Sequence, residues 1–232
     1  MTTDRVNRSM SRISVANKLN YAKIHGYHFI LDAAIDRTRS GHWSKIVTLH
    51  SAMRTRPDIE WFWWLDLDAF ILEKHIDIYE QVIKKYQWGL DKNYNITKDI
   101  LVSEDCSGPN SFNAGSFLIR NSQWSKNAMR TVYEHQYWMK HYTNEEQDVM
   151  FWLYTNHDDW KRQVQIFPMR LANSFPGTPC GETHRVQYQN GDMVVHYAGY
   201  GGRLPRIWPG ELEKWRKKGK LLDETEIDIF VK

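Results

Sequence analysis

Two carboxylates, Asp66 and Asp68, directly follow the apolar run Trp61-Phe62-Trp63-Trp64-Leu65, which predicts a buried strand. Because they are two residues apart, their side chains point the same way on an extended chain. Ligands of open α/β sheets bind beyond the carboxyl ends of strands. Two hard oxygen ligands suit Mg²⁺ or Mn²⁺, and two carboxylates beside an apolar strand need a partner cation. The pattern predicts a divalent-metal site, with a surface turn as the alternative.

A histidine, His196, ends a second apolar run at residues 193–195. Imidazole is a good Mn²⁺ ligand, although a lone histidine is more often structural. Three glycines within residues 199–202 would let the backbone approach a phosphate closely. Arg203 follows them and could neutralise the charge of a diphosphate. This segment is therefore a second candidate part of the same site.

Four more residues could contact a sugar or a phosphate. Glu146 and Gln147 begin a predicted helix and could lie beside the anomeric carbon of a sugar, or could only complement the helix dipole. Asn113 lies in a small-residue segment that predicts a turn before a strand, where it could bind sugar hydroxyls or be an ordinary turn residue. Lys45 could reach a phosphate or face solvent.

The elements that position these residues alternate between helices and strands. This alternation predicts an α/β fold with a mostly parallel central sheet flanked by helices, in one domain over residues 1–232. Gly26 is predicted to end the first helix, and Pro57 to follow the second. Helices are predicted around residues 10–19, 43–53, 79–86 and 124–139, and strands around residues 27–31, 61–65, 100–102, 117–119, 165–167 and 193–195.

Composition narrows the function classes. The net charge is +3, from 31 basic and 28 acidic residues, which excludes the electrostatic footprint of a nucleic-acid-binding protein. The 11 tryptophans suit either a packed core or contact with sugar rings. No apolar run approaches the roughly 20 residues that cross a bilayer. Cys106 and Cys180 fit no zinc-ligand spacing, and either a disulfide or two thiols is open.

Six strings occur in one order along nearly the whole chain: K-L-N-Y-A-K-I-H-G-Y, G-H-W-S-K-I, W-F-W-W-L-D-L-D-A-F, F-N-A-G-S-F-L-I-R-N, E-E-Q-D and V-V-H-Y-A-G. Together they resemble glycosyltransferase family 34. The strings F-N-A-G-S-F-L-I-R and N-S-F-P resemble its fungal branch most. That branch contains α-mannosyltransferase subunits of the Golgi mannan-building complex and α-galactosyltransferases.

The resemblance implies a GT-A type nucleotide-sugar-binding domain that transfers a hexose to a glycan acceptor with retention, using Mn²⁺ or Mg²⁺. It implies Asp66, Asp68 and His196 as metal ligands, and Glu146 with Gln147 near the anomeric carbon. GDP-mannose is the favoured donor. UDP-galactose, or a non-catalytic glycan-binding subunit, is the alternative. Metal-dependent phosphoester hydrolysis also fits a D-x-D triplet, but the acids and histidines that it would require are sparse.

The resemblance also implies the Golgi lumen as location and other glycosyltransferase subunits as partners. Members of the family carry an N-terminal anchor and begin with a strand whose following loop helps to bind the nucleotide. Neither feature is recognisable in residues 1–232, so the nucleotide pocket is expected to lack this strand.

Overall fold

The computed structural model describes residues 8–31, 38–89, 97–106, 108–135, 146–177 and 187–221. These residues form two compact units, each assembled from separated segments. The first unit takes its described residues from Met1–Leu31, Asp66–Asp77 and Arg170–Lys232, and the second from Asp32–Leu65 and Ile78–Met169. The organisation as one domain stays a prediction.

The helices agree with the hydrophobic periodicity, except that the helix predicted over residues 124–139 ends at Glu134; residues 136–139 of that prediction lie outside the described part of the chain. A 3₁₀ turn precedes α2, and a π-helical turn, Tyr79–Ile83, precedes α3. The α-helices are α1 Arg8–His25, α2 Ser44–Thr55, α3 Lys84–Tyr86, α4 Gln123–Glu134, α5 Glu146–Asn156, α6 Asp158–Gln163 and α7 Leu204–Lys217. In the described part of the chain, no helix is both long and apolar enough to cross a membrane.

The strands form two separate sheets. They are β1 Trp61–Leu65, β2 Ala69–Ile71, β3 Ile100–Asp105, β4 Gly108–Arg120, β5 Val164–Phe167 and β6 Val194–His196. In the second unit the strand order is β1-β4-β3-β5. Strand β4 is antiparallel to β1 and β3, whereas β5 is parallel to β3. Three strands therefore run in one direction and β4 runs in the other, and the predicted α/β class is confirmed with a mixed sheet.

Strand β4 is longer than the sequence indicates, because it includes residues 113–116. The predicted turn over these residues is wrong. Val102 of β3 pairs with Phe117, but the next residue, Ser103, pairs with Asn113, so β4 carries extra residues at this register shift. Bulges of this kind re-aim side chains near functional sites. Small residues fill the bulge, and this composition was the source of the turn prediction.

The core of the second unit lies between this sheet and helices α2, α4 and α5. Its apolar side chains are almost completely excluded from water, as the predicted amphipathic helices require. The helix residues that it buries include Ile46, Leu49, Met53, Ala128, Met129, Val132, Val149, Met150 and Leu153. From the sheet, Phe62, Ile100, Val102, Phe117 and Ile119 complete the cluster.

The first unit is built around the antiparallel pair β2–β6, with Phe70 opposite Val195. Helices α1 and α7 supply most of the other core residues, among them Ile13 and Trp208. The Phe70 and Trp208 rings stack with centroids 4.6 Å apart. These contacts fix both strands and thereby the residues at their ends.

The predicted strand at residues 27–31 is wrong. Gly26 ends α1 with φ +68°, as predicted, but Tyr27–Leu31 have no regular structure. Ile30 is 44% and Leu31 60% exposed, so the apolar run packs into no core. A short apolar run acquires strand geometry only where a neighbouring strand accepts its hydrogen bonds.

Candidate functional site

Asp66, Asp68 and His196 form a cluster in the first unit. One potential ligand atom from each residue lies within 4.8 Å of the other two. His196 Nε2 is 3.4 Å from Asp68 Oδ1. Asp68 and His196 are buried and Asp66 is half-buried. The structure therefore brings together the three residues that the sequence analysis selected as metal ligands.

The pairing of β2 with β6 explains how the cluster forms. His196 is the last residue of β6 and pairs with Ala69, the residue after Asp68. The backbone N–H of Tyr197 also donates to the carbonyl of Asp68 at 3.0 Å. Asp66 and Asp68 lie in the turn before β2, where Ala69 N–H donates to the Asp66 carbonyl at 3.1 Å. Residues more than a hundred positions apart in the sequence thus meet through one short antiparallel ladder.

Polar side chains of α1 hold the carboxylate-bearing segment from its other edge. The residues are spaced three and four apart, so they lie on one face of the helix. Ser14 Oγ donates to the Leu67 carbonyl at 2.5 Å, Lys18 Nζ donates to the Ala69 carbonyl at 2.8 Å, and Asn17 bonds both the N–H and the carbonyl of Ile71 at 2.8 Å. Alternate backbone positions are therefore bound by side chains in place of a neighbouring strand.

The ionisable groups in this cluster shift one another's pKa values. Burial works to raise the pKa of Asp68, but the charge and hydrogen bond of His196, with smaller contributions that include Lys18, lower it overall. Burial lowers the pKa of Lys18 from 10.5 to about 7, against the charges of Asp68 and Asp66. Perturbed ionisable groups that converge in this way are typical of functional sites.

The donor set fits a divalent cation. Two carboxylates and one imidazole converge, and they are ligand types that Mn²⁺ and Mg²⁺ accept in proteins. On its other side, His196 Nδ1 lies 2.8 Å from Asn173 Oδ1, which leaves Nε2 directed at Asp68. A metal-binding imidazole commonly has such an acceptor on its second nitrogen.

The glycine-rich segment after His196 has the backbone freedom that the sequence indicates. Gly199 and Gly201 have φ values of +75° and +46°, in the region that favours glycine. Arg203 is exposed; it donates to the Gly199 carbonyl at 3.3 Å and lies 5.6 Å from the centre of the Tyr200 ring. The structure thus places Arg203 on this segment without joining it to the metal-ligand candidates.

A second polar cluster lies in the second unit, around the bulge of β4. Lys45 Nζ and Glu146 Oε1 are 2.8 Å apart, with side chains only 4% and 2% exposed. Lys45 Nζ also donates to the Ala114 carbonyl at 3.0 Å. Gln147 Oε1 accepts a hydrogen bond from Ala114 N–H at 2.8 Å. Both backbone groups of Ala114 are thereby held by two of the predicted substrate-site residues.

Asn113 completes this cluster. Its side chain is buried, and its Oδ1 accepts from the Gly115 N–H at 3.0 Å. Trp64 of β1 adds an aromatic ring whose centroid is 5.8 Å from Lys45 Nζ. Lys45 is therefore buried, which excludes the solvent-facing alternative. Residues from α2, β4 and α5, far apart in the sequence, converge on one bulge.

Comparison with known proteins identifies the family. The sequence model of the galactosyl transferase GMA12/MNN10 family, glycosyltransferase family 34, matches residues 2–201. The chain belongs to this family. The family resemblance of the six strings is therefore confirmed, including its fungal branch.

Two fungal relatives of the family are similar to the chain. A probable α-1,6-mannosyltransferase, MNN10, of Saccharomyces cerevisiae is 32% identical over 81% of this chain and 54% of its own length. An uncharacterised α-1,2-galactosyltransferase of Schizosaccharomyces pombe is 30% identical over 82% of this chain and 63% of its own length. The chain thus spans between about half and two thirds of these relatives.

A solved structure supports the fold. The crystal structure of a glycosyltransferase involved in glycosylation of the major capsid of PBCV-1 matches with a TM-score of 0.62. The match covers 88% of this chain and 92% of that chain at 16% sequence identity. The predicted GT-A fold is confirmed.

Sequence reasoning missed the residues that support the cluster. Ser14, Asn17 and Lys18 form a polar stripe on a helix whose neighbouring positions are buried and apolar, and this interruption is a detectable signal. Asn173 lies in the N-S-F-P string, which indicates the family but no chemical role for this residue. Its contact with His196 depends on the fold and has no local signal.

Of the two alternatives for the cysteines, a disulfide or two thiols, the structure shows that Cys106 is disulfide-bonded. Cys180 lies outside the described residues.

Proposed function

We propose that the chain is a metal-dependent retaining hexosyltransferase, which moves a sugar from a nucleotide-sugar to a glycan acceptor. The observation that carries the proposal is the convergence of Asp66, Asp68 and His196, in a chain of this family, on ligand atoms within 4.8 Å of one another. Burying two carboxylates beside an imidazole is unfavourable without a cation. A non-catalytic chain would therefore have no need for this arrangement.

In this proposal, Asp66, Asp68 and His196 bind Mn²⁺ or Mg²⁺. A divalent cation there would offset the negative charge that builds up on the leaving diphosphate. Gly199 and Gly201 let the backbone approach a phosphate, and the exposed guanidinium of Arg203 is available to bind one.

Gln147, Glu146, Asn113 and Lys45 act on the sugar side in this proposal. The bond from the anomeric carbon to the diphosphate breaks, and a bond to the acceptor hydroxyl oxygen forms on the same face of the sugar. The hydroxyl proton passes to the leaving phosphate. Gln147, aligned by its hydrogen bond from Ala114 N–H, would stabilise the developing positive charge of the sugar ring. Glu146 would act with it, and Lys45 would hold the Glu146 carboxylate through their ion pair.

GDP-mannose is the favoured donor and UDP-galactose the second candidate. One relative is named a probable α-1,6-mannosyltransferase, and another an α-1,2-galactosyltransferase, with nearly equal identity to this chain. The Golgi lumen as location and association with other glycosyltransferase subunits rest on the family resemblance and stay predictions.

Nucleotide release from a panel of nucleotide-sugars, with Mn²⁺ and then with a chelator, tests the proposal. We expect one donor, GDP-mannose first, to release its nucleotide only in the presence of the metal. Asp68→Asn should reduce release at least about 100-fold, in the range that loss of an electrostatic catalytic group produces. Asp158→Asn is a matched control, since the Asp158 side chain is 86% exposed and far along the chain, in α6.

The outcomes separate the alternatives. If the folded protein releases nucleotide from no donor, it is not an active transferase. Glycan binding without turnover would support the non-catalytic subunit instead. Release that is unaffected by Asp68→Asn, or by the chelator, would contradict the metal site.

A further inference from the structure

The two ring nitrogens of His196 have different partners. Nδ1 lies 2.8 Å from Asn173 Oδ1, and Nε2 lies 3.4 Å from Asp68 Oδ1. Both His196 and Asn173 are buried, at 2% and 0% exposure. Water therefore has little access to the contact between them, and the amide is the hydrogen-bond partner of Nδ1.

The chemistry of the amide determines that Nδ1 of His196 is the donor in this contact. An amide oxygen only accepts hydrogen bonds, so Nδ1 must be the nitrogen that donates. In the neutral ring the lone pair then lies on Nε2, on the side of Asp68. The lone pair of a neutral imidazole is the group that binds a metal. Asn173 thus selects the one tautomer of His196 that can act as a ligand in this cluster.

The backbone around Asn173 is fixed from both sides. Ser174, the next residue, donates its N–H to the Val194 carbonyl at 3.1 Å and accepts from the His196 N–H at 2.8 Å. The same residue forms an isolated parallel bridge with Val195. The segment carrying Asn173 is therefore attached directly to β6, the strand that ends at His196.

A partly buried ionic network anchors this segment further. Asp192 accepts from Ser174 Oγ at 2.8 Å, and Arg170 contacts both of its carboxylate oxygens at 3.1 and 2.8 Å. Arg170 and Ser174 stand on either side of Asn173 in the sequence. The ring of Phe175 packs against that of His196, with centroids 5.9 Å apart. These contacts hold the backbone on both sides of Asn173, and a turn of the His196 ring would disturb its contact with Phe175.

We infer that Asn173 is a positioning residue for metal binding: it holds His196 as the Nδ1–H tautomer and aims Nε2 at the ion shared with Asp66 and Asp68. This inference rests on the proposed metal site. Outer hydrogen-bond partners of metal-binding histidines change affinity about 10- to 100-fold when they are removed. We expect a loss in that range for Asn173→Leu, which removes the acceptor and keeps a side chain of similar shape.

The first measurement needs no metal. In chelator-treated protein labelled with ¹⁵N-histidine, the nitrogen shifts report which ring nitrogens carry a proton. We expect a proton on Nδ1 of His196 in the wild type, whether or not Nε2 also carries one beside Asp68, and a proton on Nε2 alone in a substantial fraction of Asn173→Leu. A wild-type ring with its proton on Nε2 alone would overturn the inference, because the amide would then present its NH₂ group to Nδ1.

The second measurement is Mn²⁺ affinity, determined by titration calorimetry or by the electron paramagnetic resonance of free Mn²⁺. We expect Asn173→Leu to weaken binding about 10- to 100-fold, and Asn173→Asp, which still offers an acceptor oxygen, to retain nearly wild-type affinity. Lys220→Met is the matched control. It removes a partly buried ion pair with Glu73 elsewhere in the first unit, away from the Asn173 segment, and should bind Mn²⁺ as the wild type does.

These results distinguish the inference from the proposed function. If the wild type itself binds no Mn²⁺, the proposed metal site is wrong, whatever the tautomer. If the wild type binds Mn²⁺ and Asn173→Leu binds it equally well, only the positioning role is wrong. An equal loss in Lys220→Met and Asn173→Leu would show a general effect on stability and would overturn the positioning role. If Asn173→Leu fails to fold, the protonated ring nitrogen of the wild type and the Mn²⁺ affinity of Asn173→Asp still test the inference.

Discussion

The ion pair between Lys45 and Glu146 allows a sharp test of why the second polar cluster exists. Both side chains are almost completely buried and their charged atoms are 2.8 Å apart. Removing either partner deprives the other buried charge of its ion pair, at a cost of about 3–5 kcal/mol. Lys45→Met also removes the hydrogen bond to the Ala114 carbonyl. We therefore expect Lys45→Met and Glu146→Leu each to lower the free energy of unfolding by about 3–5 kcal/mol.

The double variant should behave differently. With both charges removed, neither desolvation penalty remains, and apolar replacements of buried ion pairs are often neutral or stabilising. The expected loss for Lys45→Met/Glu146→Leu is below about 3 kcal/mol, which allows for the unpaired Ala114 carbonyl. The coupling free energy between the two sites is then at least about 3 kcal/mol.

Urea unfolding, followed by circular dichroism and tryptophan fluorescence, gives these free energies for the wild type and the three variants. Additive losses, within about 0.5 kcal/mol, would refute the buried pair. Nucleotide release by the double variant adds a second result. Restored stability without restored turnover would show that the charges serve the reaction. Restored turnover would limit the pair to a structural role.

Three further variants test the first unit. The depressed pKa of Lys18 means that the unfolded state binds more protons between pH 7 and 10.5, so metal-free wild type should gain stability across that window. Lys18→Met should lack this gain when urea unfolding is repeated at several pH values, because methionine does not titrate. If the free energies of unfolding of the wild type and of Lys18→Met changed in parallel with pH, this prediction would be wrong. Asn17→Ala leaves both backbone groups of Ile71 unpaired and should cost about 2–4 kcal/mol in urea unfolding; a loss below about 1 kcal/mol would contradict the role of α1. Gly26→Ala should cost about 1 kcal/mol, because φ is +68° while a Cβ atom would meet open space; no change in the thermal midpoint would show that this conformation is not required.

Much of the fold is predictable from local patterns, because those patterns report burial directly. The apolar run Trp61–Leu65 is a strand, and the periodicity of α2 and α4 gives helices whose apolar faces line the core. Asp66 and Asp68 stand out because charges directly after such a run require a partner. The pattern also suggested a fully buried β1, but only Phe62 of that strand is buried.

Features that depend on distant contacts could not be predicted. The bulge of β4 at Asn113 is defined by its pairing with β3, and its small residues are equally compatible with a turn. Tyr27–Leu31 resembles a strand in composition, yet nothing in the run itself shows whether another strand lies beside it. Helix α7 contains Pro209, and because a proline normally interrupts a helix, the local sequence does not indicate the full length of this helix.

In the candidate site, too, the sequence identifies single residues, whereas their contacts depend on the fold. Residue type identified Asp66, Asp68 and His196 singly, whereas their convergence requires the β2–β6 ladder. Lys45 and Glu146 were selected for two separate reasons, and their ion pair depends on the packing of α2 against the sheet and α5. Sequence therefore indicates which chemistry is available, and the long-range contacts determine which residues share it.

The most direct test of the metal site is the Mn²⁺ affinity of the wild type beside Asp66→Asn, Asp68→Asn and His196→Ala, each measured by calorimetry with and without GDP. If the three side chains bind one ion, the wild type binds a single Mn²⁺ and every variant weakens binding by about tenfold or more. Asp158→Asn should match the wild type, since its side chain is exposed. Wild-type affinity in all three variants, or no binding by the wild type, would contradict the site.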